Sequence, residues 1–206
     1  MPVTRDTTLD WIRRFAAEMA EHRQELVRLD TAIGDGDHGT NMDRGMRKAL
    51  EKLDVAEQAD PGAVLKTVAM ALISSVGGAA GPLYGTLFLQ LGGAMAGQAE
   101  VDLAGWATAW RKGLEGVQAR GKAELGDKTM VDALTPAVEA LEQASDLSDG
   151  LRAAAQAAED GMKATIPLVA RKGRASYLGE RSKDHQDPGA TSTYYLMQSA
   201  AEALAG

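Results

Sequence analysis

The sequence predicts an all-α fold of about eight antiparallel helices, arranged up and down as a bundle or barrel. Three observations predict it. Apolar residues recur at three- and four-residue spacing almost everywhere and alternate nowhere for long. The 206 residues show no obvious spacer, so residues 1–206 are read as one domain with one core. Gly-rich, polar segments at 30–40, 76–85, 121–129 and 172–189 follow alternate helices. In an up-and-down arrangement alternate connections lie at the same end, so these four loops are expected to meet on one rim.

The elements follow in order. Leu9, Ile12, Phe15, Met19, Leu26 and Leu29 fall near one face of a first helix, which opens at Thr7 or Thr8 and ends where Asp and Gly cluster. A second helix runs from about Asn41 to Leu53. Asp60 and Pro61 open a third that stops near Ser75, and a fourth starts after Pro82 and fades at the glycines following Leu91. Leu103, Trp106, Trp110, Leu114 and Val117 form the buried stripe of a fifth, where the two tryptophans are read as core. Met130, Leu134, Val138 and Leu141 give a sixth, with Pro136 implying a kink or a later start. Leu151, Ala155, Ala158, Met162 and Ile166 give a seventh, and Tyr194, Met197, Ala201 and Leu204 an eighth.

Composition removes several functions. A formal charge of −7 disfavours a protein that binds by neutralising nucleic-acid phosphates, so no nucleic-acid partner is expected. With no cysteine there is no disulfide framework, thiolate nucleophile or thiolate zinc site. The start MPVTRDTTLDW lacks a basic segment followed by an apolar run, so no signal peptide is read and the cytoplasm is the expected compartment. Thr67 to Ala99 carries no charged side chain, but GGAAGP at 77–82 breaks it into halves too short to span a membrane.

The chemistry concentrates in LDTAIGDGDHGTNM, residues 29–42. Gly34, Gly36 and Gly39 spell G-x-G-x-x-G, yet a helical pattern precedes them where a dinucleotide fold needs a strand, and Asp35 and Asp37 would repel a bare pyrophosphate. GVQARGKA satisfies G-x-x-x-x-G-K, but Ala123 stands where a metal-binding hydroxyl belongs. Counting twelve positions from Asp30 reaches Asn41, and from Asp35 reaches Met46, so neither register has the glutamate of a calcium-binding loop. The bland reading is a solvated acidic turn whose Asp residues cap helices. The alternative is a hard divalent cation held by Asp30, Asp35 and Asp37, since Mg²⁺ is usually held by a few carboxylates, waters and substrate phosphates.

The other loops favour the cation. SVGGAAGPLYG offers unobstructed backbone N–H groups near a helix start, where phosphate is favoured. RKGRASYLGERS brings Arg171, Lys172, Arg174 and Arg181 to an otherwise acidic chain, and an Arg beside a metal–phosphate site can offset charge on a transferring phosphoryl group. HQDPGATS supplies the turn Asp187, Pro188, Gly189 that opens the last helix. Together these describe a nucleotide-phosphate site without either of the usual nucleotide motifs.

IGDGDHGTNM, SSVGGAAGPLYGT, RGKAELGDKTMVDAL and ARKGRASYLGERSKDHQDPGATS, in that order, closely resemble the L subunits of bacterial dihydroxyacetone kinases that draw phosphate from the phosphoenolpyruvate phosphotransferase system. The resemblance covers essentially the whole chain. It implies an eight-helix barrel with the nucleotide at one rim. It further implies that Asp30, Asp35 and Asp37 ligate two Mg²⁺ ions bridging to the phosphates of ADP. His38, Gly39, Thr40, Asn41, Ala79, Ala80, Gly121, Met130, Arg174, Asp187, Pro188 and Gly189 match nucleotide-contacting positions. In that family ADP is a resident cofactor, rephosphorylated in place by a phosphohistidine on an M subunit and used to phosphorylate dihydroxyacetone on a K subunit. With the metals and the phosphoryl group, Arg174, Asp30, Asp35 and Asp37 are the residues expected to carry catalysis. A homodimer and contact with a transcription regulator are family expectations, and no membrane partner is expected.

Two departures stand out. Ala80 replaces a frequent Ser, leaving only a backbone donor there, and Gly36 replaces an Ala found in some members. Other readings are an L-like domain serving a different kinase and a nucleotide-dependent regulatory module.

Overall fold

The computed structural model describes residues 2–205. Nine α-helices, one 3₁₀ segment and a two-residue strand pair are found among them. The helices are α1 (Arg5–Glu21), α2 (Arg23–Ile33), α3 (His38–Val55), α4 (Pro61–Ser75), α5 (Ala80–Ala94), α6 (Leu103–Gly121), α7 (Met130–Gln143), α8 (Leu147–Ala164) and α9 (Pro188–Leu204). Each helix from α3 onward packs on the next, and α9 returns to α1, closing a ring. The all-α barrel expected from the spacing is therefore present, with α1 and α2 together filling the place of one stave.

The division of that stave occurs at His22. No glycine or proline marks it. His22 adopts φ −89°, ψ 10°, stacks on Tyr195 at 4.2 Å and pairs through Nδ1 with Glu25 Oε2 at 3.0 Å. Tyr195 also donates its hydroxyl to Glu25 at 2.7 Å, so a contact 170 residues distant in sequence sets the break. The true start of α1 is Thr4, where Thr4 and Thr7 form a reciprocal cap. Just before it, β1 (Val3–Thr4) pairs antiparallel with β2 (Glu100–Val101), two short strands that helical periodicity does not foreshadow.

The sixth predicted helix, α7, starts at Met130 with Thr129 as its cap, so Pro136 lies inside it. Proline cannot donate to the carbonyl four residues earlier, here Asp132. That carbonyl faces Gly161 of α8, where any β-carbon would collide with it. The proline and the glycine thus sit against each other across the α7–α8 contact.

The core is built around Trp11, Trp106 and Trp110, all fully buried. Trp11 lies 5.3 Å from Trp106 and 5.8 Å from Trp110, and Phe88 and Phe15 extend the cluster toward α5. Trp11 Nε1 donates to the Leu196 carbonyl at 3.1 Å, tying α1 to α9, whereas the indole nitrogens of Trp106 and Trp110 have no partner among the described residues. Among the described residues, no helix is long and apolar enough to cross a membrane.

Candidate functional site

All four of the loops singled out by their composition border one cleft. The cavity volume is about 200 Å³, and the cleft is open to solvent at its mouth.

The acidic corner is built by the end of α2 and the start of α3. Asp30, on the last turn of α2, is buried. Its Oδ2 accepts the N–H groups of Asp37 at 2.8 Å and His38 at 3.0 Å. The carboxylate therefore caps α3 from a distance, a task that Asp37's own side chain does not perform. The chain can turn so tightly because Gly34 and Gly36 lack side chains: a β-carbon on Gly34 would overlap Asp30 Oδ1, and Gly36 takes φ +74°. Asp35 and Asp37 are exposed toward the opening, and one ligand atom from each of the three Asp residues lies within 4.8 Å of the others. Such a set fits a hard divalent cation.

Behind the acids runs a buried chain of hydroxyls. His38 Nε2 is 2.9 Å from Ser192 Oγ, and Tyr84 OH is 2.7 Å from the same oxygen and 3.1 Å from Thr193 Oγ1. Burial lowers the His38 imidazole below its ordinary value, against the opposing pull of Asp30 and Asp37. Burial also pushes the Tyr84 phenol up to about 12, so it remains a neutral donor. Three elements, α3, α5 and α9, are thereby linked beneath the cation corner.

The opposite wall consists of Gly77, Gly78, Ala79 and Ala80. The N-cap of α5, Ala79, offers no side-chain cap, so the first N–H groups of that helix are left for an anion. A strap containing the 3₁₀ segment Arg174–Ser182 brings Lys172, Gly173, Arg174 and Ala175 to the cleft. Arg174 reaches over to Asp35, 3.0 Å from Nη2 to Oδ2, and Lys172 lines the cleft beside it. Arg171 turns instead toward Asp127 at 4.0 Å, and Arg181 is not in the wall.

The last side is the start of α9. Asp187 is buried and caps that helix through Ala190 N–H at 2.7 Å. Burial pushes its carboxyl up to about 7, and Asp132 adds to the rise while the Ala190 N–H and Lys128 oppose it.

Asp30, Asp35, Asp37, His38, Ala79, Ala80, Met130, Arg174, Asp187, Pro188 and Gly189 all border this space. Gly39, Thr40, Asn41 and Gly121 do not. Gly39 packs against the backbone of Arg23, Thr40 faces solvent, and Asn41 accepts a bond from Arg44 at 2.7 Å. Gly121 lies behind Leu83, itself a wall residue. Sequence reasoning did not single out Tyr84, Ser192, Lys128 or Thr129. Tyr84, Lys128 and Thr129 stand inside the family-like words, and Ser192 closes the last of them, but their partners are distant in sequence.

The chain is similar to known proteins. Residues 32–202 match the DAK2 domain. The chain is 46% identical to the "PEP-dependent dihydroxyacetone kinase, ADP-binding subunit DhaL" of Escherichia coli (strain K12), over 96% of each chain. It is 41% identical to the "PTS-dependent dihydroxyacetone kinase, ADP-binding subunit DhaL" of Lactococcus lactis subsp. lactis (strain IL1403), over 98% of this chain and all of the relative. Among solved structures it resembles the dihydroxyacetone kinase of C. freundii, with a TM-score of 0.75 and 25% identity over 98% of this chain. It spans 35% of that longer kinase. The same kinase in complex with AMP-PNP and Mg²⁺ aligns with a TM-score of 0.73.

Proposed function

The chain belongs to the DAK2 domain family, and on that premise we propose that it is the ADP-binding subunit of a dihydroxyacetone kinase, the whole chain serving as one nucleotide domain. In the finer form of this reading, ADP is resident. A phosphoryl group passes to it from a phosphohistidine on an M subunit and on to dihydroxyacetone held by a K subunit, giving dihydroxyacetone phosphate.

The observation that carries the reading is the meeting, at one cleft, of three clustered carboxylates, an uncapped helix N-terminus and an arginine paired to one of those carboxylates. Asp30, Asp35 and Asp37 would hold two Mg²⁺ ions. Bound metal supplies positive charge that stabilises phosphate oxygens on both the accepting and the donating pass. The α5 N-terminus would receive phosphate through backbone N–H groups, and Arg174 would offset charge on the phosphoryl group. Ile33, Leu83 and Met130 give the cleft an apolar side suited to a base. No group in the cleft need touch the triose, because phosphoryl transfer relies on positioning and electrostatics.

Native mass spectrometry after long dialysis, followed by incubation with phosphorylated M subunit and a dihydroxyacetone-loaded K subunit, tests the proposal. Retained ADP with two magnesium ions, and product that depends on this chain, are expected. A protein that retains no nucleotide and supports no transfer would refute it.

A further inference from the structure

Lys128 is a buried cation for which the proposed reaction has no use. It is 1% exposed, and its backbone takes φ 62° although it is not glycine, a conformation that surrounding contacts must hold in place. Its Nζ donates to the carbonyls of Thr165 at 2.8 Å, Leu168 at 3.0 Å and Ile166 at 3.3 Å. All three ammonium protons are thus spent on carbonyls at and just beyond the end of α8, where the helix dipole favours a cation. Burial lowers the ammonium's ordinary value, and Asp187, Asp184 and Asp132 oppose that shift.

The same carbonyl segment holds the far foot of the strap. Asp184 donates its N–H to the Ile166 carbonyl at 2.8 Å, and Asp187 donates its N–H to Thr165 Oγ1 at 3.0 Å. The near foot is tied next to Lys128 itself, by Arg171 N–H to the Asp127 carbonyl at 3.1 Å. Lys128 itself borders the cleft, and it precedes Thr129 and Met130, the cap and first residue of α7, which form cleft wall beside it. The Lys128 side chain therefore joins the start of α7 to the turn after α8 that holds the far foot of the strap, while the neighbouring Asp127 carbonyl holds the near foot.

We infer that Lys128 is a positioning residue for the cleft: its ammonium fastens the 165–168 turn to the start of α7, and through that turn it fixes the strap bearing Lys172 and Arg174 and the Asp187–Gly189 wall. With its ammonium spent on the three carbonyls, it acts through these groups. The inference rests on the nucleotide reading of the cleft for its functional consequence, but the clamp itself does not.

The test uses the full chain carrying Lys128→Met, which keeps the aliphatic stem and removes the donor, and Thr165→Val, which removes the acceptor of the Asp187 N–H together with that hydroxyl's bond to the Met162 carbonyl at 2.6 Å. Affinity for Mg²⁺–ADP is measured by calorimetry and amide exchange is measured residue by residue. Lys128→Met is expected to weaken binding by about tenfold or more, as loss of hydrogen bonds to a charged group should. Its exchange should quicken at Asp184, Asp187 and along the strap while α1 and α6 keep wild-type rates. Thr165→Val should act in the same direction more weakly. Wild-type affinity with unchanged strap exchange would overturn the inference, as would acceleration equal in α1 and α6, the mark of a merely structural lysine. Should Lys128→Met not fold, Lys128→Gln, whose shorter neutral amide cannot reach all three carbonyls, decides in its place, and unchanged exchange at Asp184 and Asp187 with unchanged affinity overturns the clamp. If the wild type binds no Mg²⁺–ADP, the nucleotide reading fails, while the exchange pattern of the variants still decides the clamp.

Discussion

Replacing Gly34 with alanine adds one carbon, and its effect can be worked out from the acidic corner. The φ of −143° lies outside the left-handed region, so the effect is worked from the side-chain collision alone. The new β-carbon would overlap Asp30 Oδ1 and lie 3.1 Å from Asp30 Cγ and 3.0 Å from the Asp30 carbonyl oxygen. The carboxylate must rotate away. Its Oδ2, however, holds the Asp37 and His38 N–H groups at 2.8 and 3.0 Å. Hydrogen bonds to a charged group contribute about 1.5–3 kcal/mol each, and part of one survives a rotation, so a loss of about 2–4 kcal/mol follows. For a chain of this size that lowers Tm by roughly 4–16 °C. Metal-dependent ADP binding should fall by about 100-fold, since a ligand has lost its orientation. Calorimetric titration with ADP, with and without Mg²⁺, and thermal unfolding read both effects. Gly93→Ala is the control: its β-carbon would meet nothing within 4 Å on an exposed helical position, so it should stabilise by up to about 1 kcal/mol. A Gly34→Ala protein with wild-type Mg²⁺–ADP affinity would refute the placement of Asp30 in the metal set.

Three further outcomes are expected. Asp187 has a folded-state value of about 7, above the ordinary carboxylate value of about 3.9. Its contribution to stability is therefore present below pH 4 and lost as pH rises through about 7, so Asp187→Asn should gain on the wild type between pH 5 and 8, by up to about 4 kcal/mol; parallel stability curves would contradict this. Saturating ADP with Mg²⁺, at about 100 times its dissociation constant, should stabilise by about 2.7 kcal/mol, and chelation by EDTA should abolish most of the gain in Tm. Gly161→Ala would press a β-carbon against the Asp132 carbonyl and within 3.0 Å of Pro136 Cγ, costing about 1–3 kcal/mol in urea unfolding through overpacking.

Most of the barrel is legible in the sequence, because a 3.6-residue period over ten or more positions survives in nearly every helix. What remains hidden depends on partners far along the chain. The break at His22 needs Tyr195, and the early start of α3 at His38 needs the Asp30 carboxylate as a remote cap. Pro136 argued for a kink or a later start, yet α7 begins at Met130 because Thr129 and Asp132 form a full capping box there. In the cleft, the clustered Asp residues and the basic strap show in the sequence because like charges in a glycine-rich turn are conspicuous. Lys128, Tyr84 and Ser192 do not, since a lysine spent on carbonyls or a hydroxyl chain across three helices leaves no local pattern.

The tryptophan cluster has an optical consequence. All three tryptophans of the chain stand in mutual contact at the centre of the barrel, and two of their indole nitrogens lack a hydrogen-bond partner among the described residues. Their emission should be blue-edged, shared by energy transfer within the trio, and indifferent to what occupies the mouth. Intrinsic fluorescence of this protein is then a gauge of barrel integrity, and a spectral change on adding nucleotide would mean that the core itself had repacked.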